Sequence, residues 1–427
     1  LTHIKVLIHN FVSNKITNYL KKMKKPISKL FSLTLLSLTL AATAVSCSSD
    51  DSTPEVEQPT SEFKVDRNNL TGEIKSGHVT LTDGTYKLTG KLIVANGAKL
   101  TIKAGVKIEA TALGSGQFDA VRYIAVSQGG QIFVEGTSSN PVIMTAETQK
   151  PGSWGGLVLC GKAPINKGTT ATAEVSELTY GGSDANDNSG SIKYLRIEYS
   201  GYSYNADKEF NGLSLFGVGK GTTIDYVQVH EGSDDGFEWF GGTVDTKHLI
   251  VTNFASEVGD DLFDWTEGWN GSNENWYGKR TNAGNRGIEA DNNSNNHMAA
   301  PIANPTIKNL TLIGNAGNGE NDALKLRVGT KGSFDNVVLS NWAIGFNVEH
   351  DEGIGYVASG ELKATRVKFD NVPVKSKGTK TVPAGSASGT KGETVDVSAM
   401  FTEDANATGA GNGTATPTWA VGWTVGL

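Results

Sequence analysis

The chain has 427 residues, of which 52 are Gly and only 11 are Pro, and its formal net charge is −7. A mildly acidic surface repels phosphate backbones, which argues against nucleic acid as a partner. Two cysteines, Cys47 and Cys160, are too few for a disulfide framework or a cysteine-based metal site.

The amino terminus reads as an address. Residues 1–22 precede Met23 and are read as an upstream extension outside the fold. Lys24, Lys25 and Lys29 form a basic region, and Leu30 to Val45 an apolar one, ending in Ala44-Val45-Ser46-Cys47. This resembles a lipoprotein signal box, in which small residues precede a cysteine that becomes lipidated. The resemblance implies a signal peptide over 23–46 and a lipid on Cys47. An ordinary signal peptide or a single membrane helix are the alternatives, although the apolar run is short for a span. Residues 47–65, rich in Ser, Asp, Glu, Thr and Pro, are expected to be a disordered, solvated tether. The acids directly after Cys47 resemble the surface-export signal of Bacteroidota lipoproteins. That resemblance implies a lipid-anchored outer-membrane protein facing the cell surface.

From about Gly77 onward, short runs alternate polar and apolar residues and are broken by Gly or Asn, as in Lys99-Leu100-Thr101-Ile102 and Val106-Lys107-Ile108-Glu109. Such alternation with frequent turns means β-structure. Five segments then align without gaps: Asn211–Leu215, Asp235–Trp239, Asp261–Trp265, Arg286–Ala290 and Asp322–Leu326. Ile344–Val348 is a looser sixth. Their central residues are spaced 24, 26, 25, 36 and 22 apart. These periods fit single coils of a solenoid, the long one carrying an inserted loop. The expected fold is therefore all-β: a single right-handed parallel β-helix over residues 66–427, with roughly a dozen coils. Phe237, Phe263, Ile288, Leu324 and Phe346 would form one inward column. Trp239, Trp265, Ala290, Leu326 and Val348 would form another. The pattern resembles the pectate-lyase-like superfamily of right-handed parallel β-helices. The lipoprotein start combined with this solenoid resembles a class of Bacteroidota lipoproteins with no established activity.

The residues between the inward columns must point outward. They read Ser214, Glu238, Asp264, Glu289, Lys325 and Asn347, and successive coils lie about 4.8 Å apart. Asn211, Asp235, Asp261, Arg286 and Asp322 form a column beside them, with Asp234, Asp260, Asn285 and Asn321 one residue further back. Two like charges 5 Å apart repel by about 3 kcal/mol at an effective dielectric near 20. A shared proton, a nearby Arg286 or Lys325, or a hard cation would relieve this. Ca²⁺ suits clustered Asp and Glu oxygens, and Asp235, Asp261, Glu238, Asp264 and Glu289 are its candidate ligands. The alternative for Asp234, Asp235, Asp260 and Asp261 is capping of turn amides. If the face is catalytic, Glu238, Asp264 and Arg286 are the candidates. In a calcium-assisted polysaccharide lyase Arg286 would abstract the proton. In a glycoside hydrolase two of Glu238, Asp264 and Asp261 would act as acid and base. The Asp-Asp pairs resemble those of polygalacturonase-like hydrolases, but that family's Gly-His-Gly is absent.

Two loops are expected beside the acids. Glu267 to Arg280 contains Trp269, Trp276 and Tyr277, which would either overhang the acids and stack on a sugar, with Glu289 and Lys325 as further ligand contacts, or cover the coil beneath. Asp291 to His297 is a polar loop that could carry ligands or simply turn. The tail over 375–413 reads as loop, with Trp419–Trp423 as a last strand closing the solenoid. Function is thus expected to lie among three readings. The first is a surface lipoprotein binding glycan on one face with Ca²⁺. The second is a lyase or hydrolase using that face. The third is a structural or adhesion protein without a small ligand.

Overall fold

A computed structural model of the chain describes residues 60–114, 120–205, 208–254, 259–281, 284–316 and 321–427. The signal segment, Cys47 and the tether up to residue 59 lie outside these residues. The described chain is a right-handed parallel β-helix, with almost all of its strands joined in one 25-stranded sheet. Each coil contributes to three faces. The first face stacks strands in register from Leu70–Ile74 through Phe237–Phe240, Phe263–Thr266, Ile288–Ala290 and Asp322–Leu326 to Val374–Thr379. This depth agrees with roughly a dozen coils.

The other two faces share long, bent strands such as Thr223–His230, Thr246–Asn253, Ser272–Arg280 and Thr306–Ile313. One residue at each bend takes a left-handed backbone: Tyr194, Tyr226, His248, Asn275, Asn309, Asn336 and Arg366, with φ between 51 and 61°. That conformation costs most residues roughly 1–2 kcal/mol, and Asn tolerates it best because its side chain can bond locally. Here it bonds between coils. The Asn309 side-chain amide donates to Asn275 Oδ1 at 2.9 Å, and Asn336 donates to Asn309 Oδ1 at 2.8 Å. Asn309→Ala removes both bonds and forces Ala into the left-handed region, so it should cost about 2–3 kcal/mol. Asn309→Gly should cost less, because it keeps the backbone freedom. Urea unfolding of the two variants measures the difference.

The core matches the two expected columns. Phe237, Phe263, Ile288, Leu324 and Phe346 are fully buried, as are Trp239, Trp265, Ala290, Leu326 and Val348. Each apolar residue stacks on its equivalent one coil away, so one continuous core runs the length of the solenoid. Cys160 is buried and unpaired.

Several expectations are corrected. The aromatics of 267–280 are not an overhang. Ser272–Arg280 is a core strand, and Trp269, Trp276 and Tyr277 are at most 1% exposed. Trp276 stacks on Trp239 and Phe263 at 5.0 and 4.6 Å, and Trp269 on Trp239 at 4.5 Å. None of the three can stack on a sugar, because each ring already packs against protein. Trp419–Trp423 does not close the solenoid end. It folds back against its side, where Trp423 sits edge-on to Tyr194 and Tyr226 and Gln228 donates to Val425. The tail includes further strands, Thr394–Val395 and Phe401–Glu403. One helix, His350–Ser359, was not anticipated.

Candidate functional site

The outward column of the first face changes character along the solenoid. In the early coils it reads Ile93, Ala125 and Val158, which pack under the insertion carrying Ile165, Ala173, Val175 and Tyr180. It then turns polar: Ser214 pairs with Glu238, Glu238 with Asp264, Asp264 with Glu289, Glu289 with Lys325, and Lys325 with Asn347. The expected ladder is therefore one stripe. It is less open than an exposed strand face, since Glu238 and Asp264 are half-buried and Glu289 is buried.

Asp235 and Asp261 sit at the entrance to their strands, both nearly buried. The glycine following Asp235 is dictated by close approach, because a Cβ at Gly236 would lie 2.5 Å from the Leu262 carbonyl oxygen. Asp235 Oδ1 accepts from the Asp261 amide at 2.8 Å, and Asp261 Oδ1 from the Arg286 amide at 2.6 Å. Each carboxylate thus caps the next coil with one oxygen, as a turn residue would, and keeps a second oxygen for the face. The two readings of these residues are compatible.

The carboxylates converge. Oxygens of Asp234, Asp235 and Asp260 lie within 4.8 Å of one another, as do those of Asp235, Glu238 and Asp264, and those of Asp261, Asp264 and Glu289. Their neutralisation is uneven. Glu289 is clamped by two guanidiniums: Arg286 Nη1 lies 2.6 Å from its Oε1, and Arg327 contacts its Oε2. Arg327 also binds Asp291 at 2.7 Å, and Arg286 reaches Asp261 at 3.5 Å. Lys325 lies 3.7 Å from Glu349. Glu238 has a 2.6 Å hydrogen bond from Asn211 Nδ2, while the buried Asn211 Oδ1 has no partner among the described residues.

Burial and mutual repulsion raise the carboxyls of this face. Asp235, Glu238 and Asp264 are pushed well above the usual carboxylate range, by desolvation first and then by neighbouring carboxylates. Asp261 is pushed up to about 7 by desolvation and by Asp260 and Glu289, with Arg286 opposing. Beneath them the buried Arg280 is held down to about 10 by desolvation, and it donates to the carbonyls of Gly259, Asp260 and Arg286.

Arg327 was missed in the sequence, although strand alternation from Lys325 points it outward, and Asp291, expected only as the start of a polar loop, joins the same face beside Glu289. Arg286 is buried and held by two acids, which is poor placement for a residue meant to abstract a substrate proton. The Asp291–His297 loop is in large part structural: Asn292 is fully buried and donates to the carbonyls of His297 and Ala299.

Searches among curated proteins and among solved structures find no match. The comparison with protein families does: residues 72–424, nearly the whole solenoid, match the family described as Pectate-lyase like beta helix domain. The stacked coils and the sequence comparison agree, and the chain belongs to this family.

Proposed function

We propose that this protein is a carbohydrate-binding protein of the cell envelope, anchored by a lipid on Cys47, that holds glycan along the acidic stripe of its first face with the help of Ca²⁺. One observation carries the reading. Carboxylates of this stripe form three overlapping triads, Asp234/Asp235/Asp260, Asp235/Glu238/Asp264 and Asp261/Asp264/Glu289, each with oxygens within 4.8 Å of one another, while the adjacent guanidiniums are committed largely to Glu289, Asp291 and Asp261.

The geometry fits a hard cation. Oxygens bound to one Ca²⁺ at 2.3–2.6 Å lie no more than about 5 Å apart, and each of the three triads meets that bound. Asp235, Glu238 and Asp264 form the best ligand set, because none of them has an arginine partner among the described residues. A bound cation would supply positive charge on an otherwise acidic face, where it could meet a carboxylate or hydroxyl of a sugar. Family membership supports a carbohydrate-related role without specifying it.

Hydrolysis is the second reading. It is favoured by the raised carboxyls of Glu238 and Asp264, since a carboxyl that keeps its proton near neutral pH can serve as a general acid. Calorimetry with acidic and neutral oligosaccharides, with Ca²⁺ and with EDTA, separates the readings when paired with chromatography of the products. Calcium-dependent binding without cleavage is expected. Cleavage lost in Glu238→Gln would replace the binding reading with the enzymatic one. Absence of any binding would leave a structural or adhesive role.

A further inference from the structure

A second concavity lies on the same face, among the earlier coils. It is a cleft of about 630 Å³, within the usual size range of small-ligand sites. Its floor is Tyr123, which projects outward from the strand Tyr123–Val126 and packs on Phe210 with ring centroids 5.0 Å apart. This packing is built into the backbone. A Cβ at Gly155 would stand 2.9 Å from Tyr123 Cβ and 3.0 Å from the Phe210 ring. One wall is the hairpin of Ser203–Asn205 and Lys208–Glu209. It presents Tyr202 and Tyr204, edge to face at 5.3 Å, with Tyr204 49% exposed.

Three features indicate what the cleft takes. Tyr123 is only 5% exposed, yet among the described residues no protein group bonds its hydroxyl, which borders the cleft. The hydroxyl therefore opens to the cleft, where it can donate to or accept from a ligand. Next, Lys91 and Lys208 face Glu174 and Glu177 around the rim, so positive and negative groups balance. That balance does not select an ion, and it offers donors and acceptors to hydroxyls. Finally, tyrosine rings give flat apolar surface beside these polar groups. Flat apolar surface beside hydroxyl-bonding groups is the complement of a pyranose ring.

The cleft also adjoins the acidic stripe. Glu174 on its rim is close enough for its charge to raise Glu238 and Asp234. Tyr123 and Glu238 are three coils apart, about 14 Å along the solenoid axis. We infer that the tyrosine cleft is a distinct subsite for uncharged sugar units, so that a glycan lying along the first face places neutral residues on Tyr123, Tyr202 and Tyr204 and its charged or cation-bound portion on the acids. This rests on the reading of the face as glycan-binding, but it can fail separately.

The test uses the full-length protein and neutral tetra- to hexasaccharides built on glucose, galactose, mannose and xylose, followed by calorimetry and tyrosine fluorescence. At least one series should bind in EDTA. Tyr204→Ala should weaken it on the order of tenfold, and Tyr123→Phe, which removes only the hydroxyl, by roughly fivefold. Tyr202 and Tyr204 stand on a surface hairpin, so circular dichroism of their variants should match the parent. Neutral-sugar binding that survives Tyr202→Ala/Tyr204→Ala would overturn the assignment. So would acidic glycans binding the stripe while no neutral oligosaccharide binds at all, an outcome that leaves the acidic face intact. Binding of Tyr- or Trp-containing peptides with the same loss in Tyr204→Ala, and no sugar binding, would replace the sugar with a peptide and equally overturn it.

Discussion

At pH 8 and without divalent cations, Asp264→Asn is expected to melt several degrees above the parent chain, and the order should reverse in saturating Ca²⁺. Asp264 stands between Glu238 and Glu289 on adjacent coils. Its carboxyl is raised well above the ordinary range by desolvation, then by Glu238, Glu289 and Asp261. A carboxyl raised in the folded state binds its proton more tightly there than in the unfolded chain. Below the unfolded pKa, near 4, both states are protonated and the group has no effect on stability. Above it, the folded state holds more protons, so stability falls as pH rises towards the folded pKa. Asp261, at about 7, and the other raised acids add to the same slope. Asn cannot titrate and removes one share of that loss.

A tenfold difference in proton affinity between the folded and unfolded chains corresponds to about 1.4 kcal/mol. Removing one of these crowded, desolvated charges is expected to move the melting temperature by several degrees. The two proteins should therefore melt together near pH 4 and diverge up to pH 8. Calcium at a hundred times its dissociation constant should then stabilise the parent by about 2.7 kcal/mol, and the variant, short of one ligand, by far less. Scanning calorimetry across pH with and without Ca²⁺ measures both effects. A variant that is less stable than the parent at pH 8 in EDTA would mean that the Asp264 charge is already compensated.

Trp276→Ala is expected to cost about 3–5 kcal/mol, as other large-to-small core changes do. The ring is fully buried, stacks on Trp239 and Phe263, and donates through Nε1 to Thr246 Oγ1 at 3.1 Å. Its loss opens a cavity that stiff, stacked coils cannot close, and the defect touches the coils on either side. Chemical denaturation should show a markedly lower midpoint. Had Trp276 been a sugar platform, the same change would have lowered glycan affinity and left stability nearly unaltered. That opposite outcome would restore the overhanging-loop reading.

The contrast between Trp276 and Glu238 shows what the sequence reveals and what it hides. Glu238, Asp264 and Glu289 lie in segments whose apolar-polar-apolar pattern repeats about every 25 residues. In-register stacking turns that period directly into a spatial column. Ser272–Arg280 defeats the same logic. Asn275 takes a φ of 61° within the strand, which bends the chain and resets the alternation, so a core strand reads as irregular. Buried polar residues deepen the disguise: Asn273 is 2% exposed because its Oδ1 accepts from the amide and hydroxyl of Thr246. The tyrosine cleft was hidden for another reason. It unites Tyr123 with a hairpin some 80 residues later, and no periodicity links an insertion to the coil it covers. Arg327 was within reach, since it follows Lys325 by two residues and so shares its face, but the five-residue repeat stops one position short of it.

Asp235, Glu238 and Asp264, which have no arginine partner among the described residues, are proposed to hold a cation. Calcium titration of the purified protein at neutral pH by calorimetry tests it most directly. Saturable binding, accompanied by proton release as the raised carboxyls ionise and abolished in Asp235→Asn/Asp264→Asn, is the expected result. No heat in the parent protein, or equal heat in the double variant, would contradict it.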